Sequence, residues 1–138
     1  MSILSVAHAC IKTTSLEQTA AFYCDGLGMK KHFEFTRDGQ VFGFYLKASN
    51  DTFVEVFLAA EVENTEARCL NHFCLETGDL EALRQRLVDR GYQPGEIIMA
   101  VDQTPQFWIT DPNGLPVEFQ QYTPASAQLT GQSVEVNW

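Results

Sequence analysis

The chain has 138 residues, 45% of them apolar and 20% charged, a composition that excludes a disordered or collagen-like chain and suits one domain able to bury a core. Eighteen acidic against nine basic residues leave a formal charge of −9, which repels phosphate backbones and anionic lipid and argues against nucleic acid and membrane surfaces as partners. The opening M-S-I-L-S-V-A-H has no basic leader followed by an apolar stretch, and no apolar run approaches the ~20 residues that span a bilayer, so the expectation is a soluble, cytoplasmic protein.

Residues 3–11 alternate loosely around His8 and predict a strand. Thr14 or Ser15 can cap the helix that follows, with Glu17 or Gln18 completing a capping box. Leu16, Ala20, Tyr23 and Leu27 recur at helical spacing, and Gly26 or Gly28 can stop the helix. H-F-E-F-T and V-F-G-F-Y-L flank Asp38-Gly39, a strong hairpin signal. After a second turn, S-N-D, comes the strand T-F-V-E-V-F-L with Glu55. The acidic stretch 60–67 lacks an apolar period and reads as a linker.

The same order then recurs. L-N-H-F-C-L is a strand, and Asp79-Leu80 opens a helix with Leu80, Leu83, Leu87 and Arg90 on one stripe, ended by Gly91. E-I-I-M-A-V and Q-F-W-I-T are strands, D-P-N-G is a turn, and L-P-V-E-F-Q-Q-Y is the last core strand, with Glu118. Residues 123–138 lie outside the repeat, and their role cannot be read.

The chain is therefore a module written twice, strand–helix–three strands in each copy. His8 precedes Glu55 by 47 residues (55 − 8) and His72 precedes Glu118 by 46 (118 − 72). The flanks agree: V-A-H-A-C with L-N-H-F-C, and F-V-E-V-F with P-V-E-F-Q. Successive side chains on a strand point to opposite faces. Glu55 thus shares a face with Phe53 and Phe57, opposite Val54, Val56 and Leu58, and Glu118 shares one with Pro116 and Gln120. A carboxylate on an apolar strand is costly to bury unless it is paired or binds a metal. A lone His on such a strand is ordinarily a hydrogen-bonded core residue, but agreement at four positions points to His8, Glu55, His72 and Glu118 as the ligands of one divalent ion. His32 has no counterpart and is read as a surface or strand residue. The four cysteines, Cys10, Cys24, Cys69 and Cys74, form no C-x-x-C pair, and reduced thiols are the default. Cys10 and Cys74 each follow a paired His by two positions and face the way it does; such residues are commonly small and buried, or else line the pocket.

His8, the segment S-L-E-Q-T-A-A-F-Y-C-D-G-L-G-M, F-V-E-V-F, H-F-C-L and I-T-D-P-N-G-L-P-V-E-F together resemble the vicinal oxygen chelate superfamily, over about residues 1–122. This superfamily includes glyoxalase I, extradiol dioxygenases, and fosfomycin and bleomycin resistance proteins. The resemblance implies an α+β fold of two βαβββ modules whose curled mixed sheet surrounds a metal cavity. It implies a single domain over 1–138, with module one at about 1–59, a linker at 60–68, module two at 69–122 and a tail at 123–138. It also implies a homodimer and a small-molecule substrate. With all four ligand slots filled, His-Glu-His-Glu is similar to glyoxalase I. The implied cofactor is one divalent ion, Ni²⁺ or Zn²⁺ first and Fe²⁺, Mn²⁺ or Co²⁺ next. The implied activity is that of a lactoylglutathione lyase-like lyase or isomerase, working on a small α-oxygenated carbonyl, such as a glutathione hemithioacetal, through a metal-bound enediolate. Glu118 would be the main base and Glu55 the second acid/base.

Where the family has Arg four residues after the first His, this chain has Lys12, the candidate substrate-binding residue and a point charge rather than a fork. Where the family tends to have Asn four residues after the first Glu, it has Ala59. Arg37 is a further cation, read first as a solvated turn charge. Phe53 and Phe57 are read as core, or as favouring a partly apolar ligand. Two other functions are compatible with the fold: an Fe(II) extradiol-type dioxygenase, which would leave the Glu55 slot without a ligand, and a non-enzymatic drug-binding or resistance protein.

Overall fold

The computed structural model describes residues 3–63 and 69–136, which form two compact units. Among these residues, unit one comprises 3–63 with Asp111–Gly114, and unit two comprises 69–110 with 115–136. Residues 64–68, in the stretch read as a linker, lie outside the described residues.

Unit one follows the predicted order. Strand β1 (His8–Thr13) leads to helix α1 (Leu16–Ala20), followed by β2 (Lys30–Arg37), β3 (Gln40–Lys47) and β4 (Phe53–Leu58). The strand around His8 is shorter than predicted, because residues 3–7 are not in it. Ser15, rather than Thr14, caps α1, its side chain accepting from the Gln18 N–H. The last turn, Ala21–Gly26, is π-helical. Its wider i→i+5 winding is completed by Leu27 N–H donating to the Phe22 carbonyl at 3.0 Å, and both Phe22 and Tyr23 are wholly buried. The Asp38-Gly39 turn has φ of 51° and 76°, the left-handed pair that a tight hairpin demands.

The sheet order is β1-β4-β3-β2, with β1 parallel to β4 and the other pairs antiparallel. One face carries Phe44, Leu46, Val54 and Val56, all buried. Leu58, expected on this inner face, is exposed at the strand end. Two β-bulges interrupt the β2–β3 ladder: the register skips His32 on β2 and Phe42 on β3. A bulge re-aims the extra side chain, and both residues turn a ring toward the Glu55 face: His32 stacks on Phe53 at 5.8 Å and Phe42 on Phe57 at 5.6 Å. Gly43 sits opposite Phe57, and a Cβ there would meet the Val56 carbonyl oxygen at 2.5 Å and the Phe57 ring at 2.7 Å. Gly43→Ala is therefore expected to cost about 1–3 kcal/mol, read as a lower denaturant midpoint at unchanged slope.

Unit two repeats the plan: β5 (Phe73–Glu76), α2 (Leu80–Asp89), β6 (Ile98–Met99), β7 (Pro105–Thr110) and β8 (Pro116–Gln120), in the order β5-β8-β7-β6 with β5 parallel to β8. Asp79 caps α2 by accepting from Ala82 N–H. Leu80 and Leu87 are buried against a core of Phe107, Ile109, Val117 and Phe119, whereas Arg90, expected on that stripe, is exposed at the helix end. The strand predicted over E-I-I-M-A-V shrinks to two residues. In the tail, a short helix α3 (Ala127–Thr130) packs on the turn before β7, where the Ala127 N–H donates to the Asp102 carbonyl at 2.9 Å.

The D-P-N-G turn forms as predicted, with Gly114 N–H donating to the Asp111 carbonyl at 2.9 Å. It belongs, however, to unit one. The Tyr23 hydroxyl donates to buried Asp111 at 2.8 Å, and Asn113 donates to the Thr19 hydroxyl at 3.1 Å.

Candidate metal centre

In unit one, His8 opens β1 and Glu55 lies mid-β4. Parallel register sets Cys10, two residues after His8, directly opposite Glu55. His8 Nε2 lies 3.7 Å from Glu55 Oε2, beyond hydrogen-bond range. Its other ring nitrogen, Nδ1, is 2.9 Å from the Tyr45 hydroxyl, and Tyr45 is the β3 partner of Glu55.

Unit two builds the same arrangement. Cys74 stands opposite Glu118, and His72, one residue before β5, brings Nε2 to 3.3 Å from Glu118 Oε2. His72 Nδ1 lies 2.9 Å from Asn71 Oδ1. An amide oxygen can only accept, so Nδ1 donates to it, and Nε2 is the nitrogen that faces Glu118. Orientation of a ligating imidazole through its second nitrogen is the usual support for a metal-binding His.

The two carboxylates differ in their surroundings. Glu118 is buried, at 7% exposure, and its Oε1 accepts from Gln120 at 3.1 Å. With its amide turned to satisfy both ends, Gln106 also donates to Oε1 at 2.8 Å and accepts from Trp108 Nε1 at 3.0 Å. One carboxylate oxygen is thus held by amides and the other faces His72. In unit one, the positions matching Gln106 and Gln120 are Gly43 and Phe57, so Glu55 has aromatic rather than amide neighbours, and its side chain is more exposed.

Cys10 and Cys74 are exposed residues, not the small buried ones expected. Their thiols nevertheless sit beside the carboxylates. Partial burial, then a hydrogen bond to Glu55 and its charge, push Cys10 up to about 11, with Lys12 pulling the other way. Burial, then the Glu118 charge and hydrogen bond, push Cys74 up to about 12. Both thiols are protonated at neutral pH and are poor nucleophiles. Lys12 is exposed on the same face as His8 and Cys10. Arg37, read as a solvated charge, lies 4.4 Å from the centre of the Phe42 ring.

Among the described residues, no three His, Cys, Asp or Glu side chains gather into a group that could hold an ion; each pair stands within its own unit. The donor chemistry of the pairs suits a divalent ion. Two N/O donors sharing one ion at about 2.0–2.2 Å lie roughly 3–3.6 Å apart at square to tetrahedral angles, close to the observed 3.3 and 3.7 Å. Gln120 was visible in the sequence as a face-mate of Glu118. Gln106, Trp108 and Tyr45 reach the carboxylates only through cross-strand register, which no local pattern announces. Asn71 adjoins His72, but its role depends on its rotamer.

Among the described residues, no helix is long and apolar enough to cross a membrane. No curated protein matches the chain. Solved structures share the fold. A glyoxalase family protein from Enterococcus faecalis is 20% identical and superposes with a TM-score of 0.73, covering 87% of this chain and 99% of its own. TnmS3, an antibiotic binding protein from Streptomyces sp. CB03234, is 19% identical with a TM-score of 0.70, covering 89% and 99%. A genomically encoded fosfomycin resistance protein from Listeria monocytogenes is 12% identical with a TM-score of 0.69, covering 88% and 96%. At these identities the likeness speaks for the fold alone. The family model of the Glyoxalase/Bleomycin resistance protein/Dioxygenase superfamily matches residues 5–119, a span that holds both modules and both His–Glu pairs, and the chain belongs to that superfamily.

Proposed function

We propose that the chain is a metal-dependent lyase or isomerase of the glyoxalase type, moving a proton between adjacent carbons of a small α-oxygenated carbonyl compound. The observation that carries this reading is the matched pair in each unit: an imidazole Nε2 facing a carboxylate Oε2, with Nδ1 tied to a neighbour. His8, Glu55, His72 and Glu118 would hold the ion. When bound, such an ion polarises the oxygens of the substrate and so acidifies the neighbouring C–H. Glu118 Oε2 is the oxygen not held by Gln120, and it would take that proton only on loosening from the ion. Glu55, without the amides, is the second proton carrier. Glu55 facing His8 disfavours the dioxygenase reading, which needs that slot without a ligand.

Two donors are too few for a tight site, so one module-one pair must join one module-two pair. That meeting lies either within one chain or between the subunits of a homodimer. Mixing a His8→Ala/Glu55→Ala subunit with a His72→Ala/Glu118→Ala subunit tests both points. With shared sites, a mixed dimer would rebuild one complete four-ligand site and recover about half of the wild-type nickel or zinc, measured by elemental analysis after dialysis. Wild-type protein that takes up no ion would sink the metal reading; a mixed dimer that recovers none would return each site to a single chain. Turnover of the methylglyoxal–glutathione hemithioacetal, followed by absorbance, then tests the reaction.

A further inference from the structure

The open face of the unit-one sheet carries an aromatic wall that the proton-transfer chemistry does not use. Phe33, Phe35, Phe42, Tyr45, Phe53 and Phe57 stand on it, and none is buried. The rings form one connected array. Phe33 stacks on Tyr45 at 4.7 Å, Tyr45 meets Phe53 at 5.2 Å, Phe33 meets Phe35 at 5.2 Å, and Phe35 meets Phe57 at 4.8 Å. Phe42 stacks on Phe57 at 5.6 Å.

Three backbone features serve this array. The bulge on β3 brings Phe42 to it, and the bulge on β2 adds His32 at its edge. Gly43 leaves the space into which the Phe57 ring leans. Phe33 is exposed and the other five rings are half-buried, a contiguous apolar patch of the kind that marks a binding surface. In unit two the position of Phe57 carries Gln120 and that of Phe53 carries Pro116, while Trp108 stands at the position of Tyr45, so the continuous wall belongs to one copy of the repeat.

Its ends limit what can cover it. At one end Tyr45 is bonded to His8 Nδ1 at 2.9 Å, and its ring lies 5.7 Å from that of His8. The wall therefore runs straight into the His8–Glu55 pair. At the other end Arg37 lies over Phe42, which disfavours a cationic occupant. We propose that the wall receives the aryl group of a small, neutral or anionic ligand whose oxygen donors lie at the His8–Glu55 end. The substrate class is thus an aryl-bearing α-oxygenated carbonyl rather than a methyl one. The proposal rests on the metal reading for the donor end only; the aryl contact is independent of the ion.

Benzohydroxamate and acetohydroxamate share one oxygen-donor group and differ by phenyl against methyl. Their binding is compared by protein-observed NMR titration, which reads weak affinities, on wild-type protein with and without zinc. Benzohydroxamate is expected to bind about fivefold to tenfold more tightly in both conditions, the size of a well-placed aromatic contact. Phe33→Leu and Phe53→Leu are expected to shrink that ratio toward one while leaving acetohydroxamate binding unchanged. Equal affinities in the wild type, or a ratio that survives both substitutions, would overturn the proposal. So would a change of oligomeric state in the variants with the ratio intact, since the wall would then belong to a second copy of the chain. If zinc strengthens neither probe but the phenyl preference holds, the metal reading falls and the wall stands.

Discussion

Replacing Glu118 by Gln is expected to lower turnover of an α-hydroxycarbonyl substrate by about 10²–10⁴-fold, the usual contribution of a positioned acid–base group. The substitution keeps the shape of the side chain and an oxygen that can still face an ion. The loss should therefore fall on kcat, with ion content largely retained. An amide cannot take up the proton that a carboxylate can. Gln120→Leu is a softer probe of the same place. It removes the donor 3.1 Å from Oε1 and should reduce kcat by less, without emptying the site. Glu118→Gln with undiminished kcat would remove Glu118 from the chemistry, whatever the ion does.

Asp111→Ala is expected to cost about 2–4 kcal/mol of stability. Asp111 is 4% exposed. It accepts from the buried Tyr23 hydroxyl at 2.8 Å and from the Asn113 N–H at 2.8 Å. Taking the carboxylate away removes the acceptor of the Tyr23 hydroxyl deep in unit one. Chemical denaturation measures this as a lower midpoint. The same pair gives a pH signature. Burial first, then the charge and hydrogen bond of Asp111, raise Tyr23 well above the ordinary tyrosine value of 10.0. Below that value the phenol is protonated in both folded and unfolded chains, so its stabilising contribution is fully present and does not vary with pH. Above it the unfolded chain loses the proton first, so the unfolded state binds fewer protons and stability falls as pH rises. Tyr23→Phe should weaken this alkaline loss. A wild-type chain whose stability is flat from pH 9 to about 11 would contradict the assignment.

The repeat was legible because strands and helices leave periodic marks. Alternation around Glu55 and Glu118, the Asp38-Gly39 turn and the caps at Ser15 and Asp79 all appear where local chemistry places them. Shared faces followed from parity alone, which is why Gln120 and the Phe53–Phe57 face could be read. Parity fails at a bulge, and so the positions of His32 and Phe42 could not be foreseen. Burial also misled: Cys10 and Cys74 are small, yet they lie on the carboxylate side of each sheet, where the surface is open. Leu58 and Arg90 were assigned to inner stripes, yet each is exposed, Leu58 as the last residue of its strand and Arg90 one residue past its helix. The amide clamp on Glu118 needed cross-strand register, which depends on how hairpins close rather than on any one segment. The paired His and Glu were readable as chemistry, but their side-chain spacing was not.

Four residues written in the second copy of the repeat, Asp111–Gly114, complete the first unit. A gene cut at the boundary between the copies would therefore yield a front half lacking its own keystone, with the Tyr23 hydroxyl and Thr19 deprived of their distant ties. The second copy of the repeat thus lends the first a loop, and the front half is incomplete without it.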